Sequence, residues 1–300
     1  MLKTFSELLA FYGRQSEFLA CLEYTASKTG FRAELIEKDF LCSLILSYLY
    51  KDLDTPLIFK GGTSLAKIHA GFYRLSEDLD FSLSIAPDAS RQQRSDVVKP
   101  FKEIVNALPQ YLPIFNLQKP ITGTNASRQY NATFSYASQI GPVDGTILVE
   151  ISVREGHLQS PIVLEGCSIL EDFLTENRCV SPCRIRSFTK YEAYAEKIRA
   201  ALTRTKPAIR DFYDIHYAVK RDLINFTDSE YINLVRDKLS LQEVGEIDLS
   251  DKKLEQLKRQ VDAELLPTLR VREVEAHDFN LNTTFAFLKR YAEAYLCELV

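Results

Sequence analysis

Residues 59–83, FKGGTSLAKIHAGFYRLSEDLDFSL, constrain this chain more than any other stretch, because they place a glycine turn, a helix start and two alternating carboxylates in one short unit. The preceding Pro56-Leu57-Ile58-Phe59 is an apolar run of strand type, and Gly61-Gly62 ends it with backbone freedom that no residue with a side chain has. Thr63 and Ser64 are expected to open a helix and cap it through their hydroxyls, with the N–H groups of its first turn forming a cradle for a triphosphate. Leu65, Ile68 and Phe72 recur at helical spacing as its buried stripe, and Gly71 is the expected stop. Asp78 to Leu83 then alternates strictly. As a strand it puts Asp78 and Asp80 on one face and Leu79, Phe81 and Leu83 on the other. Carboxylates so placed repel each other unless a cation lies between them, and Mg²⁺ favours such carboxylates together with substrate phosphates. The pattern points to metal-assisted phosphoryl or nucleotidyl transfer. The plain alternative is an exposed strand edge with solvated acids.

A further carboxylate stands out downstream. Tyr130–Tyr136 and Thr146–Val153 alternate on either side of GPVDG, a hairpin signal. In the second run Ile147, Val149, Ile151 and Val153 share one face, while Glu150 sits mid-strand, where a carboxylate is costly unless paired or metal-bound. A Glu150–Arg154 pair on a solvated sheet surface is the alternative.

The chain of 300 residues is long enough for two domains, and its 46% hydrophobic and 26% charged residues are those of an ordinary globular protein. The N-terminus lacks a continuous apolar region and a cleavage site, and no run approaches a membrane span, so no membrane association and a cytoplasmic location are expected. Six scattered cysteines fit reduced thiols rather than a disulfide framework, and Cys179 with Cys183 lacks a second ligand pair for zinc. A net charge of −4 excludes a broadly basic nucleic-acid surface, so any RNA contact must be a local patch.

Lys60-Gly-Gly-Thr-Ser-Leu-Ala-Lys67, followed by Arg74-Leu-Ser-Glu-Asp-Leu-Asp-Phe81, resembles the nucleotidyltransferase superfamily, whose first motif is a Gly-Ser pair followed by DxD. More narrowly it is similar to the AbiEii/AbiGii toxin family, the toxin half of type IV-like toxin–antitoxin and abortive-infection systems. Thr63 stands where the wider superfamily usually has Ser. Glu192 to Arg204 and Arg210-Asp211-Phe-Tyr-Asp214 look like that family's E-x4-K-x2-A and RDxxD motifs, and Glu37-Lys38-Asp39 resembles its EKD segment.

The resemblance implies an α/β (α+β) fold with a polymerase-beta-like nucleotidyltransferase core: a small mixed sheet in residues 1–185 and a helical C-terminal domain in 186–300, with a nucleotide cleft between them. It implies that Asp78, Asp80 and Glu150 bind Mg²⁺ or Mn²⁺, and that Gly61, Gly62, Thr63, Ser64, Lys67, Arg74 and Lys197 hold a nucleoside triphosphate. Asp78, Asp80, Lys197 and Asp211 are then the catalytic set, with Lys197 a point charge for phosphate oxygens and Asp211 its holder or a proton acceptor. The acceptor implied is an RNA 3′ end, above all tRNA, so that translation stops, with a cognate antitoxin encoded nearby. Lys190, Lys197, Arg199, Arg204, Lys206 and Arg210 form the basic patch that such an acceptor needs. A salt bridge from Lys197 to Asp211 or Asp214 is the alternative for that pair, and a small-molecule nucleotidyltransferase or a non-catalytic nucleotide-binding protein the alternatives for the whole.

Along the rest of the chain, residues 1–50 read as helical. A helix is expected from Ser90 to about Leu108, stopped by Pro109, then a polar loop to 128 with one short strand at most, and a bridge without periodicity over 155–186. Thr189 and Glu192 have the spacing of a capping box.

Overall fold

Seven strands make one mixed sheet: β1 (Ile58–Lys60), β2 (Leu79–Ser82), β3 (Phe115–Thr124), β4 (Gln129–Tyr136), β5 (Gly145–Ser152), β6 (Ile162–Gly166) and β7 (Cys183–Ser187). Their spatial order is β3-β4-β5-β2-β1-β7-β6, with β2–β5 and β1–β7 parallel and the other neighbours antiparallel. This computed structural model describes residues 4–296 other than 53, 87, 154–155, 242–244 and 271–277. Arg154, the expected alternative partner of Glu150, lies outside the described residues. The chain divides into two units, Met1–His157 with Pro161–Ser187, and Leu158–Ser160 with Phe188–Val300.

In the first unit three helices precede the sheet: α1 (Phe5–Gly13), α2 (Gln15–Thr29) and α3 (Ala33–Leu49). A capping box between Thr4 and Glu7 starts α1, and Gly30, at φ 79°, ends α2 in the left-handed conformation that glycine adopts without strain. Helix α3 is apolar almost all round, so it is buried almost all round, and Phe40 packs edge-to-face on Phe11 and Phe18 at 6.0 and 5.2 Å. The hairpin of β4 and β5 pairs in regular register from Gln129–Ser152 to Tyr136–Gly145.

Three expectations are corrected here. Helix α5 (Arg91–Tyr111), started by a capping box from Ser90 to Gln93, does not stop at Pro109. Its last turn is held by burial of Leu108 and Leu112 and by the Leu112 N–H bond to the Leu108 carbonyl, which a proline in the last turn leaves intact. Residues 115–124 are not loop but a ten-residue edge strand, whose irregular polar exposure erased the alternation that marks a strand. Within 155–186, β7 and the edge strand β6 complete the sheet beside β1; strands of five residues are too short for periodicity to reveal.

The second unit is helical: α6 (Lys190–Thr203), α7 (Ile209–Lys220), α8 (Ser229–Leu239), α9 (Asp251–Gln260) and α10 (Leu281–Tyr295). Thr189, Asp228, Ser250 and Asn280 each accept a first-turn N–H and so start α6, α8, α9 and α10. Phe212 stacks on Phe285 at 6.0 Å. Among the described residues, no helix is long and apolar enough to cross a membrane.

Candidate active site

The Gly61-Gly62 turn is fixed by what lies against it. Helix α4 (Gly61–Ser64) starts at Gly61 with Lys60 as its N-cap and continues as a wider π turn over Leu65–His69. Gly61 has φ +77°, and a Cβ there would collide with the Asp80 carboxylate; one on Gly62 would strike the Arg74 guanidinium and lie 3.0 Å from Ser76 Oγ. Both glycines therefore let polar groups of 74–80 approach the main chain at the start of α4. The hydroxyls expected to cap this helix are used otherwise. Thr63 Oγ1 donates to the Asp78 carbonyl at 2.5 Å, and Ser64 Oγ lies 2.9 Å from Ser187 Oγ, which donates to the Phe59 carbonyl. They lock the turn to the two strands beside β1, leaving the backbone N–H groups as the donors for an anion.

Strand β2 follows the expected alternation: Leu79, Phe81 and Leu83 are buried in the core, while Asp80 is half-buried. Asp78 directly precedes the strand. Register places Asp80 between Lys60 on β1 and Glu150 on β5, and Glu150 next to Asn131 on β4. Glu150 accepts the Gln129 amide at 2.5 Å, which aims one carboxylate oxygen. Asp80 and Glu150 are thus direct cross-strand neighbours, a like-charge pair flanked by one lysine.

Helix α3 holds the segments around this row. Glu37 is buried and receives the Tyr12 and Ser138 hydroxyls at 3.1 and 2.7 Å and the Gln139 N–H at 2.7 Å. Burial first, and then the Glu37 charge, push the Tyr12 phenol up. Lys38 reaches Glu77 at 2.7 Å, one residue before Asp78. Asp39 takes Lys67 Nζ at 2.5 Å on one oxygen, and the Ser168 hydroxyl and Ile169 N–H on the other. Lys67 also donates to Ser43 Oγ at 2.8 Å, so this lysine, expected at the nucleotide, is spent on α3. The Glu-Lys-Asp sequence thus ties α3 to five places in the chain: Tyr12, Ser138–Gln139, Glu77, Lys67 and Ser168–Ile169. Arg74 is also fully buried, beside Gly62 and over the Tyr73 ring.

In the second unit Lys197 and Asp211 meet. Lys197 Nζ lies 2.7 Å from Asp211 Oδ1 and 2.9 Å from Asp214 Oδ2, and Arg204 is 3.1 Å from the other Asp211 oxygen. Burial alone would raise the Asp211 pKa, but Lys197 and Arg204 outweigh it and hold the carboxyl below its usual range. This is the geometry of the salt-bridge alternative, extended to a second aspartate. Glu192 does not complete a capping box. Thr189 accepts the Glu192 N–H, but the Glu192 carboxylate takes the N–H groups of Leu158 and Gln159 and pairs with fully buried Lys238 at 2.8 Å. Of the expected basic patch, Arg199 is held by Glu196 and Arg204 by Asp211.

Sequence reasoning missed Lys60, Gln129 and the partners of Glu37, Lys38 and Asp39. A lysine ending the strand before Gly-Gly was the visible signal for Lys60; the others depend on contacts across 20 to more than 100 residues.

The family model described as the nucleotidyl transferase AbiEii toxin of type IV toxin–antitoxin systems matches residues 45–285. Among solved structures, JHP933 from Helicobacter pylori is similar with a TM-score of 0.52 at 20% identity, over 90% of this chain and 94% of that one. A candidate nucleotidyltransferase from H. pylori gives 0.51 at 20% identity, over 90% and 97%. At this identity the likeness bears on the fold alone. The curated proteins hold no match.

Proposed function

Because the chain belongs to the AbiEii nucleotidyl transferase toxin family, we propose that it moves a nucleotidyl group from a nucleoside triphosphate to an RNA 3′ end, that of tRNA above all, and so blocks translation. Nucleotidyl transfer and the toxin class come with the family; the triphosphate, the metal and the RNA are the proposal. The observation that carries it is the Asp80 carboxylate, held against the Gly61 main chain with Lys60 and Glu150 on either side. A glycine turn opening a helix beside paired carboxylates suits a triphosphate and its cation.

Asp80, Glu150 and Asp78 would hold Mg²⁺ or Mn²⁺, which when bound neutralises charge on the phosphates. Among the described residues no group of three or more His, Cys, Asp or Glu side chains is gathered tightly enough to hold a metal alone. Mg²⁺ usually takes one or two carboxylates and completes its shell with phosphates and water, so the Asp80–Glu150 pair fits it. The N–H groups at Gly61–Ser64 then face the phosphate tail, and Arg74 supports the turn through Gly62. Lys197 and Asp211 are assigned to the nucleotide on the family resemblance. With Lys197, Arg199 and Arg204 bound to carboxylates, Lys190, Lys206 and Arg210 are the cations of that stretch that remain for an RNA backbone. An antitoxin partner accords with the family.

The test is to incubate the purified chain with Mg²⁺, each labelled nucleoside triphosphate in turn and total cellular RNA, and to resolve the labelled products by size. Label on tRNA-sized RNA supports the proposal. Label on small molecules alone would move the acceptor to a small-molecule substrate.

A further inference from the structure

The two edges of the sheet are built differently. At one edge, β3 carries Lys119 and Pro120 mid-strand, and its pairing with β4 shifts register between Leu117 and Lys119 and again between Lys119 and Thr122. A charge, a proline and bulges are what keep an edge strand from accepting another strand. At the other edge, β6 has neither a proline nor a bulge, and its single charge is Glu165, next to its last residue. Its register with β7 is unbroken from Ile162–Ser187 to Gly166–Cys183. Val163 and Leu164 are 40% and 36% exposed, and alternation puts them on opposite faces. No strand is paired to its outer side among the described residues.

We propose that this edge pairs with β6 of a second copy of the chain, antiparallel across a two-fold axis at Leu164. The register argues for the occupant. The one charge on β6 is Glu165, opposite Arg184; Val163 lies opposite Arg186, whose Nε is buried without a hydrogen-bond partner. A two-fold axis perpendicular to the sheet must pass through a residue facing its own copy. Centred on Glu165 it sets carboxylate against carboxylate. Centred on Val163 it sets Glu165 against Pro161, which has no N–H to give. Centred on Leu164 it pairs all five residues and places Glu165 of the second copy opposite Val163. Arg186 and that carboxylate then lie on one face about two strand spacings apart, roughly 10 Å between Cα atoms, within reach of an arginine and a glutamate extended toward each other. The backbone of each β6 supplies the hydrogen bonds, and the Arg186 guanidinium gains a carboxylate across the interface.

The experiment uses the full chain. Sedimentation over a range of concentrations should show a doubling of molar mass, and Val163→Glu, a change at an exposed position that sets carboxylate against the Glu165 of the second copy, should return the chain to monomer with its circular dichroism unchanged. Mild oxidation should cross-link Leu164→Cys into a dimer far faster than Val163→Cys, with the unsubstituted chain as control for the native thiols. A chain monomeric at every concentration without Leu164→Cys cross-linking overturns the proposal, as does a dimer that survives Val163→Glu. Capture of an extended segment of a different protein by a chain that stays monomeric also overturns it.

Discussion

Lys67 Nζ lies 2.5 Å from Asp39 Oδ1, with both side chains almost wholly out of water, and this pair joins helix α3 to the helical turn that follows Gly61-Gly62. Removing one member of a buried ion pair strands the other, at about 3–5 kcal/mol. Lys67→Met is therefore expected to lower the urea midpoint sharply, and Lys67→Met with Asp39→Leu to recover much of the loss. Nucleotide affinity of the folded fraction, measured by calorimetry, should stay near that of the parent. A weakened affinity in a chain of unchanged stability would return Lys67 to the nucleotide.

Gly61 is tested by a double substitution. Gly61→Ala adds left-handed backbone strain of roughly 1–2 kcal/mol and drives a methyl into the Asp80 carboxylate. Gly61→Ala with Asp80→Ala should regain stability through the collision relieved, without regaining transfer. Equal stability loss in the presence and absence of Asp80 would mean that the two residues do not touch in solution.

The reach of the sequence differs between these two sites. The Gly-Gly turn, the alternation of Asp78–Leu83 and the Glu150 strand were legible because each is local: a period of two or a glycine pair shows within a few residues. What could not be read is which charges are consumed. Lys67 reads as a phosphate ligand from its place in the motif, and only the fold brings Asp39, Ser43 and the Cys167 carbonyl around it. Ser64 likewise reads as a cap until Ser187, 123 residues on, takes its hydroxyl. β3 and β6 escaped because edge strands face water on more sides and lose the hydrophobic period that betrays a central one.

Asp80 and Glu150 give a prediction in which stability and activity move apart. As cross-strand neighbours they repel, so Glu150→Gln should raise stability of the metal-free chain by about 0.2–1 kcal/mol, read from thermal unfolding in chelator. The same variant, and Asp80→Ala, should lose nucleotidyl transfer and any heat of Mg²⁺-dependent triphosphate binding. Normal transfer by both would remove these carboxylates from the site.

Lys197 carries the sharpest test, because motif and geometry give it opposite signatures. As a nucleotide ligand alone, Lys197→Met would weaken triphosphate binding and leave the melting temperature nearly unchanged. The structure places its ammonium between Asp211 and Asp214, both buried, so the substitution should also destabilise the second unit by about 3–5 kcal/mol. Asp211→Asn should report the same network through pH. Burial raises the Asp211 pKa, but Lys197 and Arg204 lower it further, so the folded value lies below the unfolded one. The stabilisation is then fully present above the unfolded pKa and is lost as pH falls through the folded value. The stability gap between the parent chain and Asp211→Asn should accordingly be widest near neutrality and shrink below about pH 4. Denaturant titrations of both chains between neutral pH and pH 3 measure it, and a gap that stays constant over that range would show that the Asp211 charge is not what holds α6 to α7.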